Sequence, residues 1–143
     1  MYFYKNEISA VDYNLLRQAV AWTPLSVEQA QAGLDHSFLL INCYDENGIV
    51  GSARLLWDRG YIAYLADVMV RPQHQGRGLG RHMVDYLLRE FKARIPRGWR
   101  VKVVLVATKD REAFYERWGF VSRPNAKEGA GMNLWVEADQ GQA

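Results

Sequence analysis

The chain has 143 residues, about the size of one domain and long enough to bury a core without disulfides or metal ions. Its formal net charge of +2 argues against a nucleic-acid-binding protein, and its single cysteine excludes an internal disulfide. The N-terminal sequence has no secretory leader pattern, and no apolar stretch approaches the ~18 residues that a membrane span needs. We therefore expect a cytoplasmic protein without a membrane segment.

The first half of the chain predicts a strand, two helices and an antiparallel series of three strands. Ser9 or Asp12 can cap the first helix and Ser26 the second, because their side-chain oxygens accept hydrogen bonds from a first helical turn. Cys43 lies in the first strand of the series, where we expect a buried, inert thiol. The predicted segments are a strand at 2–5, helices that begin near residues 9–12 and 26, and strands at 38–44, 49–57 and 61–70.

The second half of the chain alternates helices and strands. Apolar residues at helical spacing predict an amphipathic helix that ends near Arg94, before Pro96. The later predicted segments are a strand at 101–106 that is buried on both faces, a helix at 109–118, and strands at 120–121 and 132–136. This order predicts an α/β fold in which helices flank a mixed sheet. We expect one domain at 1–138 and a short polar tail at 139–143.

A glycine-rich loop connects the strand at 61–70 to the amphipathic helix. Gly76, Gly78 and Gly80 alternate there. Glycine lets backbone N–H groups approach a ligand closely, and a helix N-terminus supplies free N–H donors and a partial positive charge. Together these features predict a phosphate site. Basic side chains in the same stretch suit a polyanionic ligand, and they are Arg71, His74, Arg77 and Arg81.

Two common phosphate-binding patterns do not fit this loop. The Walker form requires Gly-Lys-Ser/Thr after a four-residue gap, which is absent. The dinucleotide pattern G-x-G-x-x-G would need glycine at position 81, where Arg81 stands. Taken alone, the loop fits a phosphate site and a plain strand-to-helix turn equally well.

Two motifs resemble landmarks of the GCN5-related N-acetyltransferase (GNAT) family. The sequence VMVRPQHQGRGLG at 68–80 resembles the acyl-CoA signature Q/R-x-x-G-x-G/A and the strand before it. The sequence AFYERWGF at 113–120 resembles the second landmark, F-Y-x-x-x-G-F. The resemblance covers 2–136. It implies a single-domain α/β fold with a mixed, mostly antiparallel sheet, about four flanking helices and splayed central strands.

The resemblance also implies acetyl-CoA as co-substrate and no metal. Backbone groups of the strand at 68–70 would pair with the pantetheine arm, and the Val68 N–H would polarise the thioester carbonyl. Thr108 stands near a position where the family commonly has an asparagine. The residues that the resemblance assigns to the coenzyme are Val68, Met69, Val70, Gln75, Gly76, Arg77, Gly78, Leu79, Gly80, Arg81, Thr108 and Tyr115.

The resemblance assigns the role of general acid to Tyr115. A phenol with a pKa of about 10 can protonate a thiolate whose thiol has a pKa of about 8.5. The polar candidates for the base are Tyr64, Asp67 and Asp58, of which Asp67 is assigned the role. A water relay is the alternative, because no carboxylate occupies position 64 or 66. A structural role for Asp67 is a further alternative. A bulge in this strand is also expected, since strict alternation does not place its side chains cleanly on two faces.

The predicted acceptor is a primary amine of a small molecule, acetylated by direct transfer in a ternary complex. Candidate acceptor-side residues are the aromatic Trp22, Trp57, Tyr61, Tyr64 and Trp135 and the acidic Glu28, Asp35 and Asp58, and the aromatic residues fit a plain core equally well. Three alternatives stay open: acetylation of a protein N-terminus or lysine, a non-catalytic acyl-CoA-binding module, and a nucleotide-binding regulatory domain. Homodimers are common in similar proteins, and the sequence leaves the oligomeric state undecided.

Overall fold

A computed structural model describes residues 1–139. The chain divides into two compact units, Met1–Leu105 and Val106–Ala143. The predicted tail at 139–143 lies outside the described residues except for Asp139. In the first unit the elements are β1 (Phe3–Lys5), α1 (Ala10–Ala19), α2 (Val27–Asp35), β2 (Leu39–Asp45), β3 (Gly48–Trp57), β4 (Ile62–Val70), a 3₁₀ turn (Pro72–His74), α3 (Leu79–Arg94) and β5 (Lys102–Val104); the second unit contains α4 (Glu112–Glu116).

The five strands of the first unit form one sheet in the order β1-β2-β3-β4-β5. The first three pairings are antiparallel and the β4–β5 pairing is parallel, which confirms the mixed, mostly antiparallel sheet. The β4–β5 register runs only from Ile62–Lys102 to Tyr64–Val104, so residues 65–70 of β4 extend past the end of β5 within this unit. The expected splaying of β4 away from β5 stays a prediction.

The starts of α1 and α2 are those that the sequence predicts, whereas the helix expected at 109–118 is only Glu112–Glu116. Ser9 Oγ accepts a hydrogen bond from Asp12 N at 3.0 Å, and Ser26 Oγ accepts one from Gln29 N at 3.1 Å. Each bond satisfies an N–H group that a first helical turn leaves without a partner, and such a cap typically stabilises a helix by about 1 kcal/mol.

The core of the first unit lies where the helices cover the sheet. The fully buried side chains of α3 are Met83, Val84 and Leu87. A further cluster joins α1 and α2 to the sheet through Ile49 and Met69. Burying each such side chain contributes about 1.5–3 kcal/mol, so apolar burial dominates the stability of this unit.

Two predictions about β-strands are wrong. The strand expected at 101–106 with two buried faces is only Lys102–Val104, and Val106 is 65% exposed. It ends the sheet of the first unit and pairs with one neighbour, so it is an edge strand. The strands expected at 120–121 and 132–136 are not formed among residues 106–139. The segment at 132–136 leaves its apolar side chains in solvent, with Met132 93% and Trp135 88% exposed.

Candidate active site

The glycine-rich loop presents an open set of backbone donors. Gly76 and Gly78 have φ of +79° and +80°, a region that glycine adopts without a steric penalty. No described atom lies within 4 Å of the position that a Cβ would take on either residue. The first hydrogen bond of α3 runs from His82 N to Gly78 O at 3.0 Å, so the N–H groups of residues 79–81 have no helical acceptor. This cradle fits the phosphate groups of an anionic ligand.

A chain of polar contacts holds Arg77 at this loop. Its Nη1 donates to Tyr2 Oη at 2.8 Å. The Tyr2 hydroxyl hydrogen is then available for His74 Nδ1, which lies 2.8 Å away, and His74 Nε2 lies 3.7 Å from Asp45 Oδ2. The sequence identified His74 and Arg77 as basic neighbours but missed Tyr2 and Asp45, because both are distant along the chain.

The end of β4 contains the expected bulge. The β3–β4 register moves from Arg54–Ala66 to Ser52–Met69, so Asp67 and Val68 together face Ala53. Asp67 has φ of +55°, the left-handed region. The predicted coenzyme residues 68–70 begin within this bulge, in the part of β4 that extends past β5.

The carboxylate of Asp67 already has two donors. Tyr13 Oη donates to Asp67 Oδ2 at 2.6 Å, and Arg54 Nε donates to the same oxygen at 2.7 Å. The side chains of Arg54 and Asp67 are each only 17% exposed. Burial, followed by the hydrogen bond to Asp67, raises the pKa of Tyr13, so its hydroxyl keeps its proton. These contacts favour the structural role of Asp67, and its role as base stays a prediction.

A cavity of about 640 Å³ opens on the first unit. Residues from α2, β3, β4 and β5 contribute to its wall. Its lining consists of Gly33, Arg54, Leu56, Ile62, Ala63 and Val104 together with the aromatic or ionisable residues His36, Trp57, Asp58 and Tyr64. The volume lies within the range of small-molecule sites, about 300–1,000 Å³.

Only part of the predicted acceptor-side set lines this cavity. Trp57, Asp58 and Tyr64 do, whereas Trp22 packs against the cluster of α1 and α2. Glu28, Asp35 and Tyr61 lie outside the cavity lining, and Trp135 belongs to the second unit. The sequence missed His36, which follows α2 and whose Nδ1 lies 2.8 Å from Ala32 O.

In the second unit, Tyr115 lies in α4 among aromatic neighbours. Its ring centroid is 5.0 Å from that of Phe114 and 6.1 Å from that of Phe120, both edge to face. Burial raises the pKa of Tyr115, and the Arg111 guanidinium opposes this in part. The phenol therefore keeps its proton at neutral pH. Thr108 is exposed and its carbonyl accepts from Arg111 N at 2.9 Å; the coenzyme contact predicted for its hydroxyl stays a prediction.

Cys43 is fully buried in β2, which confirms the expected buried thiol, and burial raises the pKa of that thiol. Within residues 1–139, no helix is long and apolar enough to cross a membrane. The same residues contain no group of three or more His, Cys, Asp and Glu side chains that could hold a metal ion. The predicted cytoplasmic location and the absence of a metal stay predictions.

A family model described as an acetyltransferase (GNAT) domain matches residues 36–122, more than half of the chain. This match agrees with the fold, the glycine-rich cradle and the bulged strand described above. The protein is thus an acyltransferase by class. The chain belongs to the GNAT family of acetyltransferases.

The chain is also similar to individual proteins of this class. An uncharacterised N-acetyltransferase, ycf52, of Porphyra purpurea is 28% identical over 127 residues, covering 85% of this chain and 70% of the relative. A probable acetyltransferase from meticillin-resistant Staphylococcus aureus has a similar structure, with a TM-score of 0.81 at 23% identity over 95% of this chain and 100% of the other. A predicted acetyltransferase from Clostridium acetobutylicum, solved with acetyl-CoA, has a TM-score of 0.64 at 20% identity over 97% of this chain and 96% of the other. These structural similarities show the fold.

Proposed function

We propose that the protein acetylates a primary amine of a small molecule, using acetyl-CoA in a ternary complex. The cavity of the first unit carries this proposal, because it combines aromatic walls with a carboxylate and has the volume of a small-molecule site. Acetyl transfer itself follows from the family.

The donor side of the site fits coenzyme A. The N–H groups of residues 76–81 bind the pyrophosphate, and the exposed Arg77 and Arg81 add positive charge. Backbone groups of residues 68–70 pair with the pantetheine arm, since this part of β4 extends past β5. When bound, acetyl-CoA supplies the acetyl group as a thioester. The Val68 N–H polarises the thioester carbonyl.

Two proton transfers accompany the reaction. Tyr115 donates its phenolic proton to the departing thiolate, and its raised pKa keeps that proton in place until it is needed. The amine must lose a proton before it can attack. Because Asp67 is occupied by Tyr13 and Arg54, a water relay is the better-supported route for that proton.

The acceptor side favours an amine that carries an apolar group. Trp57 and Tyr64 offer aromatic faces, which attract both apolar groups and cations. Asp58 lies on the same wall, and its Oδ1 accepts a hydrogen bond from Gly60 N at 2.7 Å, which orients the carboxylate. An arylalkylamine fits both features, because its aryl group can pack against the aromatic side chains and its ammonium group can pair with the carboxylate.

A panel of acceptors tests this assignment. Free-thiol release from acetyl-CoA is measured with 2-phenylethylamine, butylamine, a peptide with a free N-terminus and an N-blocked peptide with one lysine. We expect the highest kcat/KM with 2-phenylethylamine. Asp58→Asn should raise the amine KM about fivefold, because the ion pair of an exposed carboxylate such as Asp58 contributes about 1 kcal/mol.

The matched control is Asp35→Asn, because Asp35 is an exposed carboxylate on α2 that does not line the cavity. Asp35→Asn should leave the KM for the amine and the KM for acetyl-CoA unchanged. A peptide substrate that exceeds every small amine in kcat/KM would reject the small-molecule assignment.

The contact between Tyr2 and Arg77 makes a separate prediction. Tyr2→Phe removes the hydroxyl that accepts from Arg77 at 2.8 Å. The KM for acetyl-CoA should rise about fivefold, since one exposed hydrogen bond to a charged group contributes about 1 kcal/mol, while kcat stays within twofold. Steady-state kinetics check this; an unchanged KM for acetyl-CoA would show that Tyr2 does not orient Arg77.

A further inference from the structure

The carboxylate of Asp67 is the point where several elements of the first unit meet. Asp67 Oδ2 accepts hydrogen bonds from Tyr13 of α1 at 2.6 Å and from Arg54 of β3 at 2.7 Å. Arg54 Nη1 also donates to Gly33 O at 3.1 Å and to Ser37 Oγ at 3.2 Å, at the end of α2. We name Tyr13, Arg54 and Asp67 the bulge cluster. Through it, α1, α2, β3 and β4 are joined at one partly buried site.

The backbone at Asp67 determines where the next N–H group points. With φ of +55°, Asp67 adopts a conformation that costs most residues roughly 1–2 kcal/mol and that aspartate tolerates better than most. Changing the torsions of Asp67 rotates the peptide group that joins it to Val68, and that group carries the Val68 N–H. The direction of this N–H therefore depends on the bulge.

The two donors stabilise this conformation. Hydrogen bonds to an ionised carboxylate are stronger than those between neutral groups, and this pair is mostly shielded from water, with 17% of each charged side chain exposed. The arrangement therefore holds the carboxylate of Asp67 in one position.

We propose that Asp67 is a positioning residue and not the general base: the bulge cluster holds the Val68 N–H in the direction in which it polarises the thioester. This inference rests on the proposed function, which assigns that polarising role to Val68. Arg54 also lines the cavity, so the same cluster positions the wall of the acceptor site.

Two conservative variants test the cluster. Asp67→Asn removes the charge but keeps a side chain that tolerates left-handed backbone, and Tyr13→Phe removes only one donor. We expect kcat to fall about tenfold in each, in line with about 1.4 kcal/mol for a hydrogen bond to a charged group, with the KM for acetyl-CoA within twofold. Both substitutions break the same hydrogen bond, from Tyr13 to Asp67. The kcat of the double variant should therefore be no lower than that of the less active single variant.

Two readouts separate positioning from base catalysis. In the free protein, the amide ¹H–¹⁵N signal of Val68 should shift in both variants, and the pH profile of kcat should keep its shape. The control is Asp12→Asn, because Asp12 Oδ2 also accepts from a tyrosine hydroxyl, that of Tyr44 at 3.2 Å, away from the bulge. It should change neither the Val68 signal nor kcat.

The outcomes are distinct. If Tyr13→Phe keeps the wild-type kcat and an unmoved Val68 signal, the proposal is overturned. It is also overturned if Asp67→Asn alone loses more than about a hundredfold in kcat together with the acidic limb of the pH profile, because that is the signature of a lost base. If Asp67→Asn does not fold, as judged by circular dichroism, Tyr13→Phe alone decides. If the wild type acetylates no amine, the proposed function fails, and the Val68 signal still decides whether the cluster sets the bulge.

Discussion

Tyr115→Phe is expected to lower kcat by about two orders of magnitude, the usual contribution of a positioned general acid. The substitution keeps the ring, which packs against Phe114 and Phe120, and removes only the proton that the thiolate needs. The KM values should change little, because the hydroxyl acts mainly in the transition state. Single-turnover measurement of thiol release checks this directly.

The pH dependence of the wild type adds a second readout for Tyr115. Its active form is the neutral phenol, and burial raises its pKa, so activity should persist at mildly alkaline pH and be lost only as pH passes the raised pKa. The residual activity of Tyr115→Phe should not fall in this alkaline range, because the variant has no phenol to ionise. Tyr61→Phe is the control, because Tyr61 is 65% exposed and does not line the cavity. Full turnover by Tyr115→Phe would remove the tyrosine from the mechanism.

Gly78→Val is expected to weaken coenzyme A binding by about thirtyfold or more. Gly78 has φ of +80° directly before α3, and a β-branched residue there is strained by at least 1–2 kcal/mol. The new side chain also occupies the open space that phosphate oxygens need in order to reach the N–H groups of residues 79–81. Isothermal titration calorimetry with coenzyme A measures the dissociation constant.

The chain offers a matched control for this variant. Gly98 has φ of +85° and equally open surroundings, but it lies in the turn after α3. Gly98→Val should cost similar thermal stability and leave coenzyme A affinity unchanged. Equal loss of affinity in both variants would mean that strain, and not the loss of the cradle, explains the effect.

Features with local causes were predictable from the sequence. The caps at Ser9 and Ser26 depend on residues three positions apart, and α3 depends on helical spacing. The loop glycines were recognisable because Gly76 and Gly78 serve backbone conformations that other residues avoid. For such features the neighbouring residues alone determine the structure.

Strand predictions failed where they depended on a distant partner. The alternation at 132–136 indicates which side chains would share a face, yet a strand also needs a neighbour for its N–H and C=O groups. In the described part of the second unit, residues 106–139, that segment forms no strand. The prediction for 101–106 was wrong for a different reason, because the apolar composition of a segment does not show whether its strand is central or at an edge of the sheet.

The bulge cluster could be found only in part from the sequence. Arg54 and Asp67 are each a lone charge in a mostly apolar predicted strand, and such charges are rarely buried without a partner. Their pairing depends on a register that shifts at the bulge, and Tyr13 comes from a helix far along the chain. The cavity could not be predicted for the same reason, because its wall combines residues of four elements that are far apart in the sequence.

The most direct test of the central claim follows acetyl-CoA and 2-phenylethylamine together in one reaction with the wild-type protein. Mass spectrometry quantifies the N-acetylated amine while a thiol reagent quantifies free coenzyme A. We predict equal amounts of the two products at a rate proportional to enzyme concentration. Binding of acetyl-CoA without either product, across the whole amine and peptide panel, would contradict the account and identify a non-catalytic acyl-CoA-binding protein.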